Sequence, residues 1–158
     1  MGTVTLPQTG GCLCGAVRLR LSGAPLLAYA CHCHDCQTRS GAAFTLNLVV
    51  NSADLACDGP LETLTRATRS GRVVEQAYCL HCRIHLASRA PVVPAFASLR
   101  AGVLDDASWV KPIVQSFVES ALPWAIIPDV RNVPWAEFDY EALGREWTTS
   151  APRFSPGP

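Results

Sequence analysis

The sequence has no excess of charge of either sign and no long hydrophobic run. Thirteen basic and thirteen acidic residues cancel in a chain of 158 residues. Because no run of Lys and Arg offers a face to a polyanion, we expect no nucleic-acid partner. No apolar run approaches the roughly 20 residues that span a bilayer, so no membrane partner is expected either. The segment Met1 to Gly11 lacks the charged and apolar regions of a signal peptide, and the cytoplasm is the expected compartment.

The composition predicts one globular domain with a true apolar core. Hydrophobic residues make up 49% of the chain and charged residues 16%, which is unlike a disordered protein. We expect a single zinc-binding β domain over residues 1–148. Residues 149–158 contain three prolines and a glycine, and we expect this tail to be poorly ordered.

Cysteine is abundant, and in a reducing compartment it indicates metal binding or catalysis more than disulfides. Three thiols and two imidazoles occupy six consecutive residues, Cys31-His32-Cys33-His34-Asp35-Cys36. Zinc takes thiolate sulfur and imidazole nitrogen as ligands, and C-x-x-C is a spacing found in zinc sites. The segment is therefore interpreted as a metal site on which three thiolates converge.

The eight cysteines divide unevenly along the chain. They form a C-x-C pair, the cluster of three, a C-x-x-C pair and one isolated cysteine: Cys12 and Cys14; Cys31, Cys33 and Cys36; Cys79 and Cys82; Cys57. If the two outlying pairs join, they make a closed four-thiolate site, and the cluster keeps an open position as catalytic zinc does. Spacing alone also allows the cluster to share an ion with either pair, although two or more thiols would then be stranded.

Hydrophobic periodicity predicts mostly antiparallel β structure up to the C-x-x-C pair at Cys79 and Cys82. Val17, Leu19 and Leu21 alternate with arginines, as in a half-buried strand. A hairpin turn is expected at residues 69–72. Further strands are predicted at residues 26–30, 43–50, around Cys57, 61–68, 73–78, 84–88 and 96–101.

The signals weaken in the last third of the chain. Asp105 and Asp106 are expected to open one helical turn, with residues 114–120 extended after it. Residues 134–148 predict a short helix with Asp139 near its start and Leu143 and Trp147 on one face.

Three ordered motifs resemble the glutathione-dependent formaldehyde-activating enzyme family, which includes the centromere-protein-V type proteins. They are Gly10-Gly11-Cys12-Leu13-Cys14-Gly15-Ala16-Val17-Arg18, then Cys31 to Gln37 with Ser40-Gly41-Ala42-Ala43-Phe44, then Tyr78-Cys79-Leu80-His81-Cys82. The similarity runs from about residue 10 to 128. It implies a mainly β, Mss4-like fold of antiparallel sheets pinned by zinc, with short helical turns near the C-terminus.

The resemblance also implies roles for the cysteines. Two zinc ions per chain are implied, a structural one held by Cys12, Cys14, Cys79 and Cys82 and a catalytic one held by Cys31, Cys33 and Cys36. Glutathione, or a similar small thiol, is the implied partner. Two departures from the family pattern bear on the substrate and leave the thiolates untouched: Arg83 replaces a customary glycine, and Gln115 stands where a histidine is often found.

The implied function is a zinc-dependent carbon-sulfur lyase that makes or breaks a thiol-aldehyde adduct of the S-hydroxymethylglutathione type. The alternative is a non-catalytic zinc-binding scaffold or interaction protein of the same fold. His32, His34 and Asp35 are the nearest groups able to move a proton, although histidines in such positions more often face solvent or hydrogen-bond the backbone.

Other residues are weaker candidates. Arg39, Arg83 and Lys111 could meet the carboxylates of glutathione, but isolated basic residues usually form a solvated face. Cys57 is expected to be an inert, half-buried thiol, and His81 to face outward. His85 would be a metal ligand only if Cys79 or Cys82 did not bind the ion. The four tryptophans are expected in the core or a pocket wall: Trp109, Trp124, Trp135 and Trp147.

Overall fold

The computed structural model describes residues 2–157, and this part of the chain is mainly β, with thirteen short strands and two α-helices. The strands and helices are, in order, β1 Thr3–Leu6, β2 Gln8–Gly11, β3 Arg18–Leu21, β4 Leu27–Cys31, α1 His34–Ser40, β5 Thr45–Asn51, β6 Leu55–Asp58, β7 Leu61–Ala67, β8 Val73–Cys79, β9 His85–Arg89, β10 Phe96–Arg100, β11 Val114–Ser116, β12 Arg131–Asn132, α2 Tyr140–Ser150 and β13 Arg153–Pro156.

An eight-stranded sheet forms the body of the protein. Its strand order is β12-β11-β4-β5-β10-β9-β8-β7. Along the sheet, every neighbouring pair in the order β4-β5-β10-β9-β8-β7 is antiparallel. By contrast, β11 runs parallel to both β4 and β12. The predicted antiparallel sheet in the middle of the chain is confirmed, with the hairpin at residues 68–72 joining β7 to β8.

Burial along each strand follows its place in the sheet. All five residues of β4 are buried because neighbouring elements cover both of its faces. By contrast, β7 lies at the sheet edge, and its Leu61 and Leu64 are exposed. The core gathers the fully buried leucines of the central strands and of β3, namely Leu21, Leu27, Leu48, Leu86 and Leu99.

A second, three-stranded antiparallel sheet has the order β2-β3-β6. In β3 the predicted alternation is confirmed, since Leu19 and Leu21 are buried and Arg18 and Arg20 are exposed. Arg18 reaches Asp105 with Nη2–H donating to Oδ2 at 2.5 Å, which ties this sheet to the segment after β10.

Two local expectations were wrong. The 3-10 turn lies at Ala101–Val103, ahead of the predicted turn at Asp105 and Asp106. The extended segment stops at Ser116, because Phe117 adopts a left-handed backbone (φ 58°) and a 3-10 turn follows at Val118–Ser120. The reversal at Phe117 has no glycine or proline at that position to announce it, whereas the 3-10 turn contains Gly102.

Helix α2 carries the predicted cap and apolar face, with a later start. Asp139 is the N-cap, and its Oδ1 accepts from the backbone N–H groups of Glu141 and Ala142. Leu143 and Trp147 are buried, as predicted. Residues 134–139 lie outside the helix, and Trp135–Glu137 forms a 3-10 turn instead.

Residues 149–156 of the tail belong mostly to regular elements. Thr149 and Ser150 complete α2, and β13 pairs in parallel with β1 from Thr3 to Leu6. Phe154 supplies the apolar contact, with its ring edge-on to Trp109 at 5.4 Å between centroids. The terminal Pro158 of the predicted tail lies outside the described residues.

Two cysteine clusters and the cavity beside one of them

The two outlying cysteine pairs meet where the three-stranded sheet approaches the end of β8. Their sulfurs all lie within 4.8 Å of one another, with 3.5 Å between those of Cys12 and Cys14 and 3.7 Å between those of Cys14 and Cys79. We call this set, completed by Cys82, the four-cysteine cluster. It joins parts of the chain that are 65 residues apart.

Each half of the four-cysteine cluster sits on a tight backbone turn. After Cys14 the turn is completed by Gly15 at φ 78°, where glycine has no steric penalty. After Cys82 the corresponding residue is Arg83, at φ 61°. A left-handed backbone at this position explains why glycine is customary there in the family that the sequence resembles, and why arginine is strained.

Cys31, Cys33 and Cys36 form the second set, which we call the three-cysteine cluster. Their sulfurs also lie within 4.8 Å of one another. Cys31 ends β4, and Cys33 is the N-cap of α1, with its Sγ accepting from the backbone N–H of Cys36 at 3.4 Å. Gly41, at φ 65°, ends the helix. This turn of helix was not predicted, because cysteine is not a usual N-cap residue.

The pKa values of two of the three thiols are shifted in opposite directions. Hydrogen bonds from Cys31 and Cys33 lower the pKa of Cys36 far below its ordinary value, whereas hydrogen bonds with Cys33 and Cys36, together with burial, raise the pKa of Cys31. Arg39 Nη2 and both Nη groups of Arg100 lie 3.9 Å from the Cys36 sulfur and donate toward it. These guanidinium groups favour a charged sulfur at Cys36.

Arg100 is itself held by two polar neighbours. Its Nε–H donates to Nδ1 of His85 at 2.9 Å, and its Nη1–H donates to Oδ1 of the buried Asn47 at 2.6 Å. Burial, and then the charge of Arg100, lowers the pKa of His85 to about 3. His85 is thus a neutral support for Arg100, and it is not a member of either cysteine cluster.

A cavity of about 300 Å³ opens beside the three-cysteine cluster, and all three of its cysteines line the wall. Aromatic side chains from the C-terminal third, Trp135 and Tyr140, line it as well, together with Phe117. None of the four-cysteine cluster lines this cavity. Only the three-cysteine cluster is therefore open to a small molecule from this cavity.

The three predicted proton carriers occupy different positions. His34 and Asp35 line the cavity, but the Asp35 carboxylate accepts from the backbone N–H of Arg69 at 2.9 Å. His32 is fully buried, does not line the cavity, and bonds through Nε2 to Oε1 of Gln115 at 3.1 Å. A role in proton transfer remains a prediction for His34.

Gln115, where a histidine was expected, connects three parts of the structure. Its Oε1 also accepts from the backbone N–H of Ile127, and its Nε2 donates to the carbonyls of Ile127 and Val130. The buried amide thus provides hydrogen-bond partners for the backbone of the loop before β12 and for the ring of His32. This role depends on contacts across the fold and has no signal in local sequence.

Of the three basic residues considered for a substrate carboxylate, only Arg39 lines the cavity. Arg83 pairs with Glu62 on the β7 edge, and Lys111 is exposed elsewhere. Sequence reasoning missed four other arginines on the wall, which are Arg69, Arg72, Arg89 and Arg100. Asp35 and Arg39 are four residues apart, which places them on the same face of a helix. This spacing was the one sequence signal that both side chains of α1 could line the same cavity.

The remaining candidates lie mostly where they were expected. Cys57 is half-buried and outside both clusters, and His81 is exposed. Trp147 is buried in the core and Trp135 lines the cavity. Trp124 is the exception, since 79% of it is exposed. Among residues 2–157, no helix is both long enough and apolar enough to cross a bilayer.

Both sets of sulfurs have the chemistry and spacing of ligands for the zinc ions that the resemblance implies. Zinc with Zn–S bonds of about 2.3 Å places tetrahedral ligand sulfurs about 3.8 Å apart. Two sulfur pairs of the four-cysteine cluster, at 3.5 and 3.7 Å, are close to this spacing, and all sulfurs within each cluster lie within 4.8 Å of one another. All eight cysteines are free thiols. Both clusters could hold metal ions, and both fit zinc.

A family model described as glutathione-dependent formaldehyde-activating enzyme matches residues 7–120. The chain belongs to this family. The match contains both cysteine clusters and ends before the segment that carries Trp135 and Tyr140. The mainly β architecture with antiparallel sheets is consistent with the Mss4-like fold expected of a family member.

Two further comparisons were made. No curated protein sequence matches the chain. A crystal structure of a Rhodobacter sphaeroides protein, a structural genomics target, is similar with 21% sequence identity and a TM-score of 0.49, covering 61% of this chain and 87% of that chain.

Proposed function

We propose that this member of the glutathione-dependent formaldehyde-activating family is a carbon-sulfur lyase that makes or breaks a thiol-aldehyde adduct of the S-hydroxymethylglutathione type. The observation that carries the proposal is that the three-cysteine cluster lies in the wall of a cavity, whereas the four-cysteine cluster does not. A site with a vacant ligand position and room for a small molecule is what this chemistry requires.

Zinc is the proposed cofactor, with two ions per chain. Cys12, Cys14, Cys79 and Cys82 would hold a structural ion, because four thiolates fill its coordination shell. Cys31, Cys33 and Cys36 would hold the catalytic ion. With three thiolates as ligands, zinc supplies a Lewis acid at its fourth position toward a thiol or a carbonyl oxygen.

The reaction joins a thiol to an aldehyde and needs no oxidant. The thiol sulfur forms a bond to the carbonyl carbon, the C=O double bond becomes single, and the proton lost by sulfur ends on the oxygen; the reverse reaction breaks the same C–S bond. The chain's residues hold both reactants in one cavity of about 300 Å³, which raises their effective concentration. Arg39 and Arg100 favour the charged form of the Cys36 ligand.

The test is the rate of exchange between formaldehyde and its glutathione adduct, followed by NMR with ¹³C-labelled formaldehyde. The metal-loaded protein should raise this rate above the spontaneous one. Cys33→Ser should abolish the increase and still fold, because a serine side chain also caps a helix. Cys57→Ser is the matched control, since Cys57 belongs to neither cluster, and it should behave as the native protein.

The same measurement separates the enzyme from the scaffold alternative. A folded protein with two bound metal ions and no increase in exchange would contradict the lyase and favour a non-catalytic scaffold. Loss of the increase on Cys57→Ser would contradict the assignment of the reaction to the three-cysteine cluster.

A further inference from the structure

The cavity wall is strongly basic in a chain whose net charge is zero. Five arginines and one carboxylate side chain, that of Asp35, line it. Three thiolates with a divalent ion would add a net charge of about −1, so the wall would stay positive. A cleft that gathers one sign of charge concentrates ligands of the opposite sign. The bulk composition gave no indication of this concentration.

Most of the wall arginines are already engaged. Arg89 pairs with Glu75 at 3.1 Å, and Arg69 lies 3.8 Å from Asp35. Arg100 is bound to His85 and Asn47. Arg39 donates from Nη2 to the Cys36 sulfur, and its buried Nε and Nη1 have no partner among the described residues. Arg72 lies farther along the wall on the β7–β8 hairpin, where its Nε–H donates to the hydroxyl of Ser70 and no described carboxylate pairs with it. Its terminal N–H groups are therefore available to a ligand.

Arg72 is also held in place. Its guanidinium carbon lies 3.8 Å from the centroid of the Trp135 ring. Trp135 in turn packs against the rings of Phe138 and Phe117, with centroids at 4.8 and 5.8 Å and interplanar angles of 22° and 18°. Stacking against an aromatic ring fixes the plane of a guanidinium and leaves its N–H edge free for two parallel hydrogen bonds to a carboxylate.

We propose that Arg72, held on Trp135, is a specificity-determining residue that binds a carboxylate of the substrate in the cavity that contains the three-cysteine cluster. The inference rests on the proposed function. Since formaldehyde has one carbon and no ionisable group, the carboxylate belongs to the thiol, and the substrate class is an anionic thiol. Arg72 lies within residues 7–120 and Trp135 beyond them, so the ring that holds the selecting arginine lies outside the part of the chain matched to the family.

The test compares binding of glutathione and of its diethyl ester, in which both carboxylates are neutral, to the metal-loaded protein by isothermal titration calorimetry. The native protein should prefer glutathione. Arg72→Gln should weaken glutathione binding by about 10- to 100-fold, the range of a charge-assisted pair, and leave the ester unchanged. Arg72→Lys should recover only part of the loss, because an ammonium does not form the planar pair.

The matched control is Arg20→Gln, which removes an exposed arginine of β3 that does not line the cavity. It should leave both ligands unaffected. Equal losses for glutathione and ester on Arg72→Gln, or no loss, would overturn the inference, as would failure of the native protein to bind glutathione.

The outcome is separable from that of the proposed function, because binding needs no turnover. If the native protein fails to speed adduct exchange but shows an Arg72-dependent preference for glutathione over the ester, the lyase is wrong and the subsite stands. If exchange is accelerated and Arg72→Gln leaves the KM for glutathione unchanged, the subsite is wrong and the lyase stands.

Discussion

At the scale of single residues, the positions that depart from the family pattern have physical explanations. Arg83 has a left-handed backbone conformation at φ 61°, which costs free energy in any residue that has a Cβ atom. Gln115 replaces an expected histidine and satisfies His32 together with a loop. The first departure costs stability and the second contributes to it.

Replacing Arg83 with glycine should therefore stabilise the protein. We expect the free energy of unfolding of the metal-loaded protein to rise by about 0.5–1 kcal/mol, the relief of backbone strain less the greater freedom of glycine in the unfolded chain. Denaturant unfolding measures it. Arg83→Ala is the control, because it removes the pair with Glu62 and keeps the strain. A gain from alanine as large as that from glycine would contradict the explanation.

Replacing Gln115 with methionine should destabilise the protein by about 2–3 kcal/mol. The new side chain has similar size, but it leaves His32 Nε2 and the backbone groups of Ile127 and Val130 without their partner. Thermal unfolding of the variant beside Gln8→Met, which alters a less buried amide, provides the comparison. Similar midpoints for the two variants would show that the buried network contributes little.

At the scale of elements, helix α1 and strands β1, β2, β12 and β13 were not predicted from the sequence. Most of the antiparallel strands were predictable because alternation and turn residues are local signals. The helix was missed because a cysteine caps it, and β13 because it is a four-residue strand next to prolines whose order comes from pairing with β1 and from the packing of Phe154. Both depend on contacts that no local pattern records.

The capping role of Cys33 can be separated from its proposed role as a ligand. Cys33→Ala and Cys33→Ser both remove the thiolate, but only serine can accept the hydrogen bond from the backbone N–H of Cys36. We expect the alanine variant to be less stable than the serine variant by about 1 kcal/mol in denaturant unfolding. Equal stabilities would mean that the cap contributes nothing to α1.

Strand β13 should contribute measurably to stability through Phe154. Its ring packs on Trp109 and on Trp147, with centroids at 5.4 and 6.1 Å. Since the side chain is only partly buried, Phe154→Ala should cost about 2 kcal/mol, below the range for a fully buried phenylalanine. Thermal unfolding measures the effect, and Arg153→Ala, which alters an exposed residue of the same strand, is the control. An unchanged midpoint for Phe154→Ala would contradict a stabilising role of β13 and favour the poorly ordered tail expected from the sequence.

At the scale of the whole molecule, the cysteine motifs were predictable and the cavity was not. The grouping of seven thiols into sets of four and three is predicted by motif spacing together with the family resemblance, and within each set the sulfurs lie within 4.8 Å of one another. The basic wall is assembled from α1, the β7–β8 hairpin, β9, β10 and the segment around Trp135. Long-range packing alone brings such distant residues together.

The two clusters should respond differently to loss of metal. The four-cysteine cluster joins the two larger sheets across 65 residues, and the free energy of such sites is coupled to folding. We expect Cys79→Ser to abolish cooperative unfolding or to lower the midpoint far more than Cys33→Ser does. Circular dichroism during heating, with and without a chelator, makes the measurement. Equal midpoints for the two variants would contradict the division into an anchoring site and an open site.

The approach of the Cys14 and Cys79 sulfurs, which brings the two larger sheets together, also has a consequence for the protein in the cell. If the link between the sheets needs an ion that translation does not supply, a newly made chain stays a target for proteases until it captures one. The amount of this protein would then follow the supply of metal during synthesis, even with the gene transcribed at a constant rate.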